Sequence, residues 1–464
     1  MSETKDPLPR TTEDLRHLLR NDTKVKVAVD GVLRGKFMSK TKFLSIAEGG
    51  FGFCSVIFAW DIHDAVYPKE LLISNRQNGY RDLLAKVDLS TYRRIPWENY
   101  VPFFFVSFLD PETKEPISVC PRGTVRKVVA QAEKRGWQCI AGIEYEYFQF
   151  QETSYSVAEK KFSNLTPLTP GMHGYSLLRT TLNQEYFNDL FEESLKMGVE
   201  IESHHTETGP GVFETALSYT TASRIADSAT LAIVMPSFMA KPWANLPGCS
   251  GHIHVSLRDA SGKNVFSLSS DEIQAGGRKD ALYEDTRYMS QEGEWFVAGL
   301  LDGLADVLVP TINGYKRLVG GESFWAPNKV TYGYDSRVAS IRIISPPSVP
   351  PSATRLEVRV PGADMQPHFA LSAIFLLGLR GIQKKLALPF PPVSEQQAQG
   401  TANVKSLATS LEAATEMMMR PGSVARDVFG DDFVEHFGGT RLHEVRVWNE
   451  AVTNWELERY LELA

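Results

Sequence analysis

Gly142-Ile143-Glu144-Tyr145-Glu146-Tyr147-Phe148 sets two carboxylates two positions apart in a run that is otherwise apolar and aromatic. The β-branched and aromatic content predicts a strand, in which residues i and i+2 project to one side. Glu144 and Glu146 then share a face and repel, so something must neutralise them. The same spacing recurs downstream. GHIHVSL (251–257) aligns His252 with His254, and RLEVRV (355–360) aligns Arg355, Glu357 and Arg359. In ETGPGVFE (207–214) a Gly/Pro turn lies between Glu207 and Glu214, which could therefore converge.

Around these segments the chain alternates strand-like and helical patterns. From Cys139 onward the strands IAGIEYEYFQF, GVFETAL, GHIHVSL, SIRIIS and RLEVRV are interleaved with helical QEYFNDLFEESLKMG, EGEWFVAGLLDGLADVLV and HFALSAIFLLGLRGIQKKL. This predicts an α+β fold with a large sheet. Residues 24–110 read as a smaller β-rich unit, with strands in KVKVAVD, FCSVIFAW and VPFFFVSFL. A Pro- and charge-rich connection, DPETKEPISVCPRG, leads from it to a helix expected over 124–135 with Gly136 as its stop. The expected organisation is a helical extension over 1–23, a β domain over 24–115 and a larger domain over 116–464 that ends in a mainly helical region.

Composition narrows the class of function. The 464 residues hold 49 Lys+Arg against 56 Asp+Glu, a formal net charge of -7, with no basic stripe, which argues against nucleic acid. The longest apolar runs stop well short of the roughly 20 residues that cross a bilayer, so no membrane partner is expected. The first residues, MSETKDPLPRTTEDLRHLLR, are polar with interspersed acids, unlike a secretory signal or a transit peptide. The four cysteines have no C-x-x-C spacing, and a reducing, cytoplasmic location is the expectation.

A Glu pair on a strand is most often a solvated face, and an Arg-Glu-Arg strip most often a salt-bridge ladder. Here five carboxylates and two imidazoles sit in short segments whose other side chains are apolar, as in a lined, half-buried funnel. Oxygen donors with an occasional imidazole suit Mg²⁺ or Mn²⁺ better than zinc. Two such ions could balance the carboxylates and serve phosphoryl transfer. Lys316, Arg317, Arg337, Arg342, Arg355 and Arg359 offer cations for phosphates and substrate carboxylates, and no Walker A or G-x-G-x-x-G sequence is present.

Taken in order, DGVLRGK, LSTYRRIPW, GIEYEYF, ETGPGVFE, KPWANLPGCSGHIHVSL, INGYKRL, SRVASIR, RLEVRVPGADMQPHFALSA and WELERYLE make the chain resemble the glutamine synthetase family over nearly its whole length. The resemblance implies an N-terminal β-grasp domain and a catalytic domain whose curved antiparallel sheet forms half of a funnel. It also implies homo-oligomers of stacked hexameric rings with active sites between subunits. Residue by residue, it implies one metal held by Glu146, Glu207 and Glu214 and a second by Glu144, His252 and Glu357, with Mg²⁺ or Mn²⁺ at two or more sites. His254 and Ser256 would lie near ATP, with Arg337, Arg342 and Arg355 around its phosphates. Glu146, Gly248, Arg317 and Arg359 would bind glutamate. The implied chemistry is ATP-dependent conversion of the glutamate γ-carboxylate to an acyl phosphate, which ammonia or an amine then displaces.

Three stretches depart from the family pattern. FAWDIHDAVY replaces the usual Asp-Gly-Ser-Ser, leaving Asp61 or Asp64 to supply the carboxylate a neighbouring subunit lends to the amine site. Pro247 stands where an Asn is usual. After YKRL, the flap Pro-Gly-x-Glu-Ala-Pro becomes GGESFWAP, with Trp325 at the Glu position and Glu322 as the nearest acid. An indole accepts no proton but can wall an apolar pocket or cover a cation. The expected nucleophile is therefore either ammonia, with Glu322 in the flap role, or an organic amine or polyamine, with Trp325 setting amine specificity. A non-catalytic scaffold is the remaining alternative; against it, all six expected metal-ligand positions hold Glu or His.

Overall fold

The computed structural model describes residues 8–29, 33–232, 238–307, 312–318, 326–399 and 404–461. Two sheets organise them. The N-terminal sheet comprises β1 (Lys24–Val29), β2 (Arg34–Ser39), β3 (Phe51–Cys54), β4 (Asp82–Val87), β5 (Arg93–Ile95) and β6 (Val101–Leu109). Its order is β2-β1-β6-β4-β3, with β5 on β6; β1 and β6 run parallel and every other pair is antiparallel. The helix Lys40–Ile46 buries Phe43 against Phe104 of β6, their ring centroids 4.9 Å apart. A hairpin, a helix and returning strands around a central parallel pair make the expected β-grasp arrangement.

The second sheet comprises β7 (Trp137–Phe148), β8 (Ile201–Thr206), β9 (Val212–Thr221), β10 (Gly251–Asp259), β11 (Tyr332–Tyr334), β12 (Ile341–Ile344) and β13 (Arg355–Val358). The order is β11-β12-β13-β10-β7-β9-β8, antiparallel except between β11 and β12. Between residues 143 and 147 of β7 burial alternates: Ile143, Tyr145 and Tyr147 are buried, while Glu144 and Glu146 are half-buried on the opposite side. The buried side joins a core shared with helices Pro121–Glu133, Ala222–Ala232, Gln291–Val307 and Pro367–Lys384. Pro367–Lys384 is the centre of this layer and packs on the other three. Its contact with Gln291–Val307 is close because Gly299 and Gly381 meet, where a side chain on either would strike the other helix's backbone.

Three expected elements differ in extent. FCSVIFAW is a strand only to Cys54 and then coils into a 3-10 turn, Ser55–Phe58, where the buried Ser55 hydroxyl donates to Ser74 at 2.9 Å. The helix expected at 124–135 starts at Pro121, whose fixed φ and missing N–H suit a first turn, and ends at Glu133 ahead of Gly136 at φ 72°. The terminal amphipathic stretch is split: one helix closes at Glu450, and Thr453 caps a second, Asn454–Tyr460. No helix among the described residues is long and apolar enough to cross a membrane.

Candidate active site

Strand register builds the site. Glu146 of β7 stands opposite Glu214 of β9, which in turn faces His205 of β8. Glu144 stands opposite His252 of β10, while Glu357 of β13 lies between His254 of β10 and Arg342 of β12. The tight turn between β8 and β9, with Gly209 and Gly211 at φ 153° and 68°, returns the chain so that Glu207 joins Glu146 and Glu214. Two groups result, Glu146/Glu207/Glu214 and Glu144/His254/Glu357, each with one donor atom per residue and all within 4.8 Å of one another. His252 belongs with the second group, its Nδ1 lying 3.6 Å from Glu144 and 3.4 Å from Glu357. Both histidines thus meet Glu144, His254 more closely through Nε2 at 3.0 Å.

The electrostatics of the two groups differ. Glu357, 1% exposed, accepts from Arg342 at 2.9 Å and from Arg359. Burial would raise its pKa, but the His252 and Arg359 charges hold it below its ordinary value. Glu144 is also desolvated, yet the bonds from His252 and His254 hold it well below the usual carboxylate range. Glu146 shifts the opposite way: burial raises it and the facing Glu214 adds to the rise, which His252 and the Ser250 N–H at 2.6 Å only partly offset. Like charges directly opposite on adjacent strands destabilise a sheet. A divalent cation among Glu146, Glu207 and Glu214 would remove that cost, and an all-oxygen donor set is what Mg²⁺ or Mn²⁺ requires. The second group offers two carboxylates and an imidazole, a set that fits the same ions.

The expected basic residues fall into three situations. Arg317 and Arg359 are 4% and 5% exposed, and in each the Nε lacks a partner although another nitrogen is bonded, Arg317 to the Val360 carbonyl and Arg359 to Glu357. Such idle buried donors are costly unless a ligand uses them. Gly248 packs flat on Arg317, leaving no room there for a Cβ. Arg355 donates to His254 Nδ1 at 3.2 Å and, with His254 and Ser256, lines a cleft of about 410 Å³ that opens beside Glu144 and extends to Tyr219 and Arg258. Arg342 is tied to Asp335 at 2.9 Å as well as to Glu357, and Arg337 is exposed.

Asp61 and Asp64 lie in the loop between β3 and β4. Asp61 accepts from His443 at 3.0 Å and from the His63 and Ala65 amides, whereas Asp64 is exposed and pairs with Arg34. Among the described residues their bonds lead to neither carboxylate group. Glu322 and Trp325 lie outside the described residues.

Two site residues escaped the sequence reading. His205 bonds Glu214 at 3.2 Å; burial would lower its pKa, but Glu214, the Thr206 carbonyl and Glu207 together raise it. Its signal was present, since His205 and Glu207 repeat the two-residue spacing in SHHTE. Tyr175 stacks on His205 with centroids 4.4 Å apart, and burial together with Glu207 and Glu214 raises its phenol. It sits on a loop at φ 55°, and nothing in the local pattern marks it.

Comparison with known proteins gives this geometry a lineage. The family model "Glutamine synthetase, catalytic domain" matches residues 118–460. Type-1 glutamine synthetase 2 of Dictyostelium discoideum is 41% identical over 459 residues, covering 95% of this chain and 84% of that protein. Glutamate–isopropylamine ligase of a Pseudomonas species is 30% identical, with 94% of each chain covered. Gamma-glutamylethanolamide synthetase of Streptomyces coelicolor is 29% identical, covering 94% and 91%. A solved GmaS/ADP complex has the same fold, with a TM-score of 0.76 at 22% identity over 97% of this chain and 99% of that one. The chain that carries these paired carboxylate groups is therefore a ligase and a member of the glutamine synthetase family.

Proposed function

We propose that the protein joins the γ-carboxylate of L-glutamate to an organic primary amine at the expense of ATP, through γ-glutamyl phosphate. The observation that supports the ligase chemistry most is the pair of carboxylate groups side by side on one face, flanked by the cleft at one end. Mg²⁺ or Mn²⁺ would be held by Glu146, Glu207 and Glu214 and by Glu144, Glu357 and His252 or His254, neutralising charge on the phosphates and the acyl oxygen. His254, Ser256 and Arg355 line the cleft and orient the nucleotide, with Arg337 and Arg342 towards its phosphates. Arg317 and Arg359 direct their idle N–H groups at the glutamate carboxylates, and Gly248 lets the amino acid lie against the backbone. Asp64, exposed where Asp61 is committed to His443, takes the proton of the amine in a neighbouring copy. Apolar surface at Leu177, Leu178 and Trp455, exposed in the single chain, is buried when copies assemble into rings.

The organic amine is favoured by Trp325, which replaces the acid that would deprotonate ammonium and offers an apolar wall. The names of two relatives, an isopropylamine ligase and an ethanolamide synthetase, agree with it. Ammonia is the second reading, favoured by Glu322 and by the relative named a glutamine synthetase. Steady-state rates with ammonium and a panel of primary amines decide between them. An organic amine should give the highest kcat/KM, and Trp325→Glu should move the preference towards ammonium by about tenfold or more. Ammonium as the best substrate of the unaltered enzyme refutes the organic-amine reading.

A further inference from the structure

Where the N-terminal sheet meets the helical layer, one arginine has no carboxylate of its own. Asp88, between β4 and β5, accepts from Arg122 and from Arg126, each at 2.5 Å. Asp227, on the helix Ala222–Ala232, accepts from Arg122 and from His368 at 3.0 Å. Each carboxylate thus serves two basic side chains, and Asp88 also accepts from Ser90. Arg93 of β5 is left with a single bond, Nη2 to the Ser228 hydroxyl at 3.4 Å, and its Nη1 is shielded from solvent with no acceptor. Arg122, 6% exposed, likewise has an unpartnered Nε. Burial pulls the Arg93 guanidinium down to about 10; Asp227 opposes the fall, and the charges of Arg224 and Arg122 add to it. Arg224 is exposed in the first turn of Ala222–Ala232, so the cluster presents positive charge at its outer edge.

A shielded guanidinium with idle donors is costly, and its planar fork matches the geometry of an oxyanion. The geometry points to a binding site for a small oxyanion, carboxylate or phosphate, at the junction of β5 with the helix Ala222–Ala232, held by Arg93 and Arg224 with Arg122 behind them. None of these residues lines the cleft beside Glu144, so the site is separate from the nucleotide's. An anion there would tie the N-terminal sheet to the helices beneath the carboxylate face, and its binding would add to the stability of the fold.

Thermal unfolding of the full chain tests this, with inorganic phosphate and succinate titrated separately and sodium chloride at matched ionic strength as reference. The background is Arg355→Ala, which weakens phosphate binding in the cleft. At least one oxyanion should raise the Tm saturably beyond chloride, Arg93→Met should abolish that rise, and Arg224→Ala should weaken the apparent affinity by about tenfold. Which of the two acts identifies the headgroup. Should Arg93→Met fail to fold, the exposed Arg224→Ala decides. A rise that is the same in all variants, or one equalled by chloride, overturns the site. A change of oligomeric mass in Arg93→Met that is indifferent to anions also overturns it, because the missing acceptor would then be a carboxylate of a second copy.

Discussion

The two carboxylate groups on the seven-stranded sheet lie side by side, yet the protein treats them differently. Glu144 and Glu357 are already met by protein partners: the His252 and His254 imidazoles on one, the Arg342 and Arg359 guanidinium groups on the other. Both are held below their ordinary pKa values. Glu146, Glu207 and Glu214 are bonded by His205, by the Ser250 and Thr208 amides and by the Thr208 hydroxyl, with no arginine bonded to any of them among the described residues, and Glu146 is raised by burial. Glu144 and Glu357 can stay charged on these protein contacts, whereas Glu146 and Glu214 keep a like-charge cost that a divalent cation would remove. On the helical side of the same sheet, Asp227 is a third case, fully paired with Arg122 and His368. The sheet thus separates a face whose carboxylates are only partly met by protein partners from charge that is balanced within the fold.

The largest effect should come from removing a ligand from either group. Glu357→Ala and Glu146→Ala should each lower kcat by about 10³-fold or more, roughly 4 kcal/mol of barrier, while leaving assembly intact by light scattering. A variant that turns over at the normal rate removes its group from the catalytic account. The two should part company in stability: Glu357→Ala leaves Arg342 and Arg359 without their shared carboxylate and lowers the Tm, whereas Glu146→Ala relieves repulsion and leaves the metal-free Tm unchanged or higher. Equal destabilisation by both would erase the contrast.

Asp227→Asn comes next, with a predicted loss of about 3–5 kcal/mol, because Arg122 is left buried beside a neutral group. The pH dependence has a definite sign. Asp227 is held well below its ordinary value of 3.8 by Arg122 and His368, even though burial would raise it. Its contribution is therefore complete above the unfolded value and fades as pH falls through the folded one. Urea unfolding between pH 2 and 7 should show a shallower acid limb in Asp227→Asn than in the parent; an identical limb contradicts the pairing.

The smallest effect concerns the metal itself. Mg²⁺ at about 100 times its Kd should stabilise the protein by about 2.7 kcal/mol per occupied site. Glu146→Ala should lose more of that stabilisation than His252→Ala does, since Glu146 and Glu214 face each other as like charges that the ion would offset. Chelation that leaves the parent's Tm unmoved would place the metal elsewhere.

Much of this site was legible because strand geometry is simple. Period two pairs Glu144 with Glu146 in GIEYEYF and His252 with His254 in GHIHVSL, each pair on one side of its own strand, and the turn in ETGPGVFE lets Glu207 and Glu214 converge. What period two does not encode is register across strands. It left open that Glu146 would face Glu214, that both histidines would reach Glu144, and that Arg342 would be spent on Asp335 and Glu357. Tyr175 and Arg93 were missed for a related reason, as their roles come from a loop stacking on a strand and from a β5 side chain reaching a distant helix. In FCSVIFAW, apolar content suggested a strand throughout, but the buried Ser55–Ser74 bond marks where the chain turns.

The most direct test of the account follows oxygen from glutamate to phosphate. With L-glutamate labelled by ¹⁸O in the γ-carboxylate, turnover with ATP, Mg²⁺ and the preferred amine should release phosphate carrying one labelled oxygen, because that oxygen bridges carbon and phosphorus in γ-glutamyl phosphate. Unlabelled phosphate, or phosphate released at the same rate without glutamate, would contradict it.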